Sequence, residues 1–177
     1  MNYNATSVSL RYVPSEDRIE WSSHCGEKRM VRSWISRRML GLTLPRLAKW
    51  MAGRSDAGKP PEVSQAQTPA EKQHISRFEH ETAQQQVHAV QEKVVKRPVE
   101  AEFLLANLSL ETLRSGAIKL SLQSAENAEQ VSLKASLPQL HKLVGEMVRL
   151  SEAAGWDIPN PWQTGGTTDQ ASSRAMH

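Results

Sequence analysis

Residues 31–51, VRSWISRRMLGLTLPRLAKWM, and residues 131–151, VSLKASLPQLHKLVGEMVRLS, decide the fold. Val31 stands against Val131, Ser36 against Ser136, Leu40 against Leu140, and Leu44 and Leu47 against Val144 and Met147, all at an offset of 100 residues. In each stretch a short run of alternating side chains gives way, at a serine, to apolar residues at helical spacing. That is the pattern of a strand that ends at a helix N-cap. The match extends upstream, with Val8-Ser9-Leu10 against Leu108-Ser109-Leu110 and Ser15 against Ser115. The expected fold is α+β: two βββα units related by internal duplication, joined by a linker and a long polar connecting helix.

In the first half Val8, Leu10 and Tyr12 alternate with polar residues, and Pro14-Ser15-Glu16-Asp17 reads as a turn. Ile19 and Trp21 alternate again. His24-Cys25-Gly26-Glu27 is a second turn, with Gly26 free to take positive φ. Val31, Ser33 and Ile35 then share one strand face, opposite Arg32 and Trp34. A helix capped by Ser36 follows, with Leu40, Leu44, Leu47 and Met51 on one side. Pro45 allows a second reading, a shorter helix capped by Thr43 with Pro45 in its first turn.

In the second half Leu104, Ala106, Leu108 and Leu110 are expected on one strand face. Ile118, Leu120 and Leu122 alternate, and Gln123 to Gln130 reads as a polar loop. Val131, Leu133 and Ala135 point inward. Ser136 caps a helix with Pro138 in its first turn, and Leu137, Leu140, Val144, Met147 and Ser151 form its stripe. Gly155 stands where a helix C-terminal glycine would. Between the halves, Ala70 to Lys96 reads as one helix with a thin seam of Ile75, Phe78, Ala83, Val87, Val90 and Val94, ended by Arg97-Pro98. The expected boundaries are 1–52 for the first unit, 53–70 for a flexible linker, 71–97 for the connecting helix, 98–156 for the second unit and 157–177 for a disordered tail.

Charge is uneven along the chain. Residues 1–60 hold 11 Lys and Arg against 5 Asp and Glu, a net of +6, and residues 61–177 hold 11 against 14, a net of −3. The single cysteine, Cys25, excludes an intramolecular disulfide. No apolar run of membrane-spanning length and no secretory leader are visible, so the expected location is cytoplasmic, without a membrane.

Motifs for chemistry are missing from the sequence. There is no GxxxxGK[ST] or GxGxxG phosphate loop, and Gly165-Gly166 lies in the polar tail. No GxSxG elbow occurs. His24 and Cys25 are neighbours on a hairpin and point to opposite sides, which does not suit a Cys/His nucleophile pair. His74, His80 and His88 lack the three- or four-residue spacing that puts two zinc ligands on one helix face. Together with Glu79 and Glu81 they read as a solvated face. An enzyme is therefore not expected, and no catalytic, cofactor-binding or metal-binding residue is assigned.

One cluster has a mechanism: Lys28, Arg29, Arg32, Trp34, Arg37 and Arg38. Arg32 and Trp34 share the outer face of a strand. Arg37 and Arg38 fall in the first turn of the following helix, where the helix dipole already disfavours cations, so an anion is expected beside them. Glu16, Asp17, Glu20 and Glu27 could supply it internally. Trp156 and Trp162 flank a Pro-containing segment after the last helix and read as anchors, either onto a partner or back onto their own sheet. The partner-binding residues expected are Arg29, Arg32, Trp34, Arg37, Arg38, Trp156 and Trp162. The function expected is that of an accessory or adaptor subunit that binds another protein, self-association being one form of this. A nucleic-acid-binding module that uses the basic first half is the runner-up.

Asp17-Arg18-Ile19, the junction Arg32-Ser33-Trp34-Ile35-Ser36-Arg37-Arg38 and the leucine-rich helix with Pro45 resemble small uncharacterised bacterial proteins. Those share a DRI strand and an RxWxxRR strand-to-helix junction. The resemblance covers this short stretch alone and implies a bacterial, non-enzymatic protein with no known activity.

Overall fold

A computed structural model describes residues 1–26, 29–54, 68–86, 98–126 and 128–163. Among the described residues it is mixed α+β, with seven strands in one sheet and three helices. The strands are β1 (Asn2–Ala5), β2 (Ser7–Val13), β3 (Arg18–Cys25), β4 (Arg29–Ser36), β5 (Val99–Thr112), β6 (Ile118–Ser124) and β7 (Gln130–Ala135). The helices are α1 (Arg37–Ala52), α2 (Pro69–Gln86) and α3 (Leu137–Ala153).

Strand neighbours run β1-β7-β6-β5-β4-β3-β2. Only Thr6 separates β1 from β2, so both ends of this order belong to one stretch of chain. The pairing path therefore returns to its start, as in a barrel. Thr6 fixes the crossing, its backbone N–H and its hydroxyl both donating to the His24 carbonyl, at 2.8 and 3.1 Å. β5 makes a similar crossing. Glu102 and Leu104 pair in parallel with Arg32 and Trp34 of β4. After a bulge between Leu105 and Asn107, residues up to Thr112 pair antiparallel with β6. Each long stretch changes partner halfway, and that holds the two halves together.

Two differences from the sequence reading follow from long-range pairing. Residues 2–5 form a strand, with Tyr3 opposite Val131 and only 7% exposed. Their partner lies in the other half of the chain, so local alternation is too short to reveal them. On β5 the buried face is Phe103 and Leu105, then Leu108 and Leu110, while Leu104 is 51% exposed. The bulge inserts one residue and exchanges the faces, so Leu104 and Ala106 do not share a buried face with Leu108 and Leu110.

Ser36 and Ser136 are both helix N-caps, accepting from Met39 N and Gln139 N at 3.2 and 3.4 Å. Gln139 returns the bond to Ser136 N, completing a capping box. α1 thus starts at Arg37 and carries Pro45 in its interior, where the Gly41 carbonyl loses its helical donor. Leu40, Leu44, Leu47 and Met51 of α1 meet Leu140, Val144 and Met147 of α3 in one core with Ile19, Trp21, Ile35, Leu120 and Leu122. Full burial of each such aliphatic side chain contributes roughly 1.5–3 kcal/mol.

α3 ends at Gly155, whose φ of +68° turns the chain back. Trp156 then packs edge-on against Tyr12, and its indole N–H donates to Asp17 at 2.8 Å. Residues 157–163 continue across the surface and bury Trp162 to 8% exposure. That part of the expected tail is packed, and residues 164–177 lie outside the described ones.

α2 starts with a capping box between Thr68 and Glu71. The rest of the expected connecting helix, 87–97, and most of the expected linker, 55–67, lie outside the described residues. The buried positions of α2 are Ser76 and Ala83, and Phe78 is 69% exposed. Of the expected seam Ala83 is docked and Phe78 is not, so the docked face runs through Ser76 and Ala83. α2 lies on α3, with Gln84 donating to the His141 carbonyl at 2.9 Å and Lys142 donating to the Gln84 carbonyl at 2.8 Å. A Cβ at Gly145 would come within 2.1 Å of the Gln84 amide. Gly145→Ala should raise the helix propensity of α3 by about 1 kcal/mol and sacrifice a Gln84 hydrogen bond of about the same size. Urea unfolding should change little, while limited proteolysis within α2 should quicken. Unchanged cleavage of α2 would contradict this packing.

Candidate functional site

On the outer face of β2–β5 the expected basic cluster is largely tied into its own chain. Glu20, 5% exposed, accepts from Arg11 at 2.6 Å and from Ser22 at 2.8 Å. Arg32 lies 3.5 Å from Glu20 and 2.9 Å from Glu102. Trp34 donates its indole N–H to Glu102 at 2.7 Å, and the Arg32 guanidinium sits 5.8 Å from its ring centroid. Arg29 pairs with Glu100 at 3.7 Å. Burial of Glu20 works to raise its pKa. Hydrogen bonds from Arg11 and Ser22, with the charges of Arg32 and Arg11, outweigh burial and hold it below the ordinary carboxylate value. Lys28 lies outside the described residues.

Arg37 and Arg38 are exposed in the first turn of α1. Asp17 faces that turn, with a pKa lowered by hydrogen bonds from Trp156 and Tyr12 and also by the charge of Arg37. Trp156 and Trp162 are 5% and 8% exposed and are occupied within their own chain. Of the two roles the sequence allows these tryptophans, the geometry takes the inward one, because Gly155 reverses the chain.

Two features are weakly marked in the sequence. The first is a histidine pair. His80 of α2 and His141 of α3 approach with Nδ1 atoms 3.4 Å apart, and Trp162 stacks on His80 at 3.9 Å with rings 1° from parallel. Burial pushes both down to about 4, opposed at His80 by the charge of Glu81 and assisted at His141 by the charge of His80. Glu79 lies 3.8 Å from His141 Nε2 and favours the charged form, but burial outweighs it. The solvated face expected for His80 is thus a packed one, while His74 is exposed and His88 lies outside the described residues. His141 was readable: it continues the helical spacing from Leu137 to Val144 and Val148.

The second feature is a groove of about 250 Å³ between α1 and the second half of β5. Met39, Leu42, Thr43, Arg46, Leu47 and Trp50 form one wall, and Ala106, Asn107, Leu108 and Leu110 the other. Leu42 is 54% exposed. Arg46 is the only charged residue in this lining, and Arg54 lies at 5.0 Å over the Trp50 ring. α1 and the two residues after it carry Arg37, Arg38, Arg46, Lys49 and Arg54 and no acid. Among the described residues Arg38, Arg46 and Lys49 make no hydrogen bond or ion pair.

Burial and the charge of Glu100 push the Cys25 thiol up, against the charge of Arg29, which lowers it. No helix among the described residues is long and apolar enough to cross a membrane. Comparisons with protein-family models, curated proteins and solved structures find no match.

Proposed function

We propose that this chain is a non-enzymatic accessory or adaptor subunit, located in the cytoplasm, that binds another protein through the surface made by α1 and the second half of β5. The observation that carries this reading is the juxtaposition of an apolar groove with cations along α1, of which Arg38, Arg46 and Lys49 make no ion pair among the described residues. Arg37 and Arg38 stand in the first turn of the same helix, Arg37 acting on Asp17. Arg29, Arg32 and Trp34 stand beside it as a braced flank, their carboxylate partners supplied internally.

The same cations favour nucleic acid as the second reading, and salt separates the two. Binding that relies on phosphate contacts weakens steeply as salt rises, while apolar docking does not. Leu42→Glu places a charge in the groove at an exposed position. A partner co-purified with the tagged chain from its native host should be lost in Leu42→Glu and retained at high salt. Submicromolar binding of random oligonucleotides at about 150 mM salt, lost in an Arg37→Ala/Arg38→Ala variant, would overturn the protein-binding reading.

The reading also treats the two halves as copies of one βββα unit. Registers support this. Leu10 faces Trp21 as Leu110 faces Leu120, Ile19 faces Ile35 as Ile118 faces Ala135, and Ser23 faces Val31 as Leu122 faces Val131. The offset is 100 residues in β2/β5 and β4/β7 but 99 in β3/β6, because the second hairpin turn is one residue shorter and the next loop one longer. The copies differ in charge: Arg46 corresponds to Glu146, which pairs with Arg149 at 2.6 Å, so α3 neutralises itself where α1 does not. Exchanging core counterparts, Leu44→Val with Leu47→Met, should cost under about 1.5 kcal/mol per site, the range for loss of one buried methylene at 44 and for a volume-conserving change at 47. Losses of about 2–5 kcal/mol per site, the size of truncations to alanine, would count against equivalence.

A further inference from the structure

The second half of β5 forms one wall of the α1 groove and has a free side. Its ladder to β4 ends at Leu104, because β4 passes into α1 at Ser36. Beyond the bulge it pairs, among the described residues, only with β6. The hairpin sets which groups face outward. Leu113 N–H donates to the Ala117 carbonyl at 2.8 Å, and Gly116, with a φ of +81°, closes the turn. Bonded pairs alternate along an antiparallel ladder. Glu111, Ser109 and Asn107 therefore bond to β6. The N–H and C=O groups of Thr112, Leu110 and Leu108 point away from it, toward the groove.

We propose that this edge accepts an extended segment of a partner protein as an added strand, whose groove-facing side chains, every second residue, are apolar and acidic. The proposal rests on the protein-binding reading of the same surface and names its mode. Outward backbone groups of Leu108 and Leu110 supply the register, since every second residue of an added strand meets them. The groove takes the apolar side chains; its volume suits one or two large ones. Charge complementarity selects the acidic positions. The cations at the groove are Arg46, which lines it, and Arg54 on Trp50, and no carboxylate among the described residues lines it. Pairing would cover an exposed strand edge, which proteins otherwise protect from association.

The test is selection of a random nine-residue peptide library, displayed on phage, against the full chain. Selected sequences should carry apolar and acidic residues at two-residue spacing, on one strand face. N-methylation at every second residue should abolish binding in one phase and spare it in the other. Leu42→Glu should weaken the best peptide at least tenfold while leaving the circular dichroism of the chain unchanged. Peptides with apolar residues at three- and four-residue spacing, equally sensitive to Leu42→Glu, would overturn strand addition and leave the protein-binding surface standing. Basic or patternless selections, or none above background, would overturn both. Protection of the Leu108 and Leu110 amides that grows with protein concentration would assign the edge to a second copy and overturn the proposal.

Discussion

Trp21→Ala should destabilise the chain by about 3–5 kcal/mol, the range for a fully buried large aromatic. Trp21 is 0% exposed and lies in β3 between Leu10 of β2 and Ser33 of β4. Two costs add. Removal of the indole leaves a cavity that a closed ring of strands collapses around only partly. It also deprives the buried Ser23 hydroxyl of the indole N–H donated at 2.9 Å. Against a total stability of roughly 5–15 kcal/mol for a domain, such a loss is a large share. Urea unfolding followed by far-UV circular dichroism measures it. A loss below about 1 kcal/mol would place Trp21 outside the core.

Acid should destabilise the protein well before its carboxylates titrate. His80 and His141 have pKa values near 4 in the fold against an ordinary value of 6.5. The unfolded chain therefore takes up protons first. Stability is complete above about pH 6.5, falls as pH drops toward 4, and loses nothing further to these groups below that. A depression of this size corresponds to about 3 kcal/mol for His141, which is 1% exposed. His80 is partly exposed and adds less. Between pH 7.5 and pH 4.5 the unfolding free energy should fall by about 2–3 kcal/mol. His141→Leu should flatten that slope. Glu20, with its lowered pKa, adds stability above the ordinary carboxylate value and loses it only as pH falls below that value, so most of the histidine window lies above its own. A flat profile from pH 7.5 to pH 5 would contradict the packed histidine pair.

The sequence makes legible those parts of the fold that repeat within a few residues. Alternation marks β2, β3, β4, β6 and β7. The serines before Arg37 and Leu137 mark both helix starts, and the stripes of α1 and α3 mark their buried sides. What periodicity lacks is the identity of a partner. Tyr3 is buried by Val131, on a strand more than a hundred residues away, and no local pattern announces that. The bulge at Leu105 reverses the faces of β5 with no glycine or proline to mark it. The same limit applies to the functional surface. The sequence brings out Arg37 and Arg38, yet the groove beside them needs Leu42, Trp50, Leu108 and Leu110, which come together only when β5 leaves β4. Arg29, Arg32, Trp156 and Trp162 stand in the sequence as expected partner-binding residues, and in the fold each makes its contacts within its own chain.

The central claim is that the second half of β5 keeps an open edge on the α1 groove, and amide hydrogen exchange of the free chain, resolved residue by residue, tests it most directly. Asn107, Ser109 and Glu111, bonded to β6, should exchange slowly. Leu108, Leu110 and Thr112, pointing away from β6, should exchange faster by orders of magnitude. Uniform protection from Asn107 to Thr112 would mean that the edge is already paired, and would contradict the account.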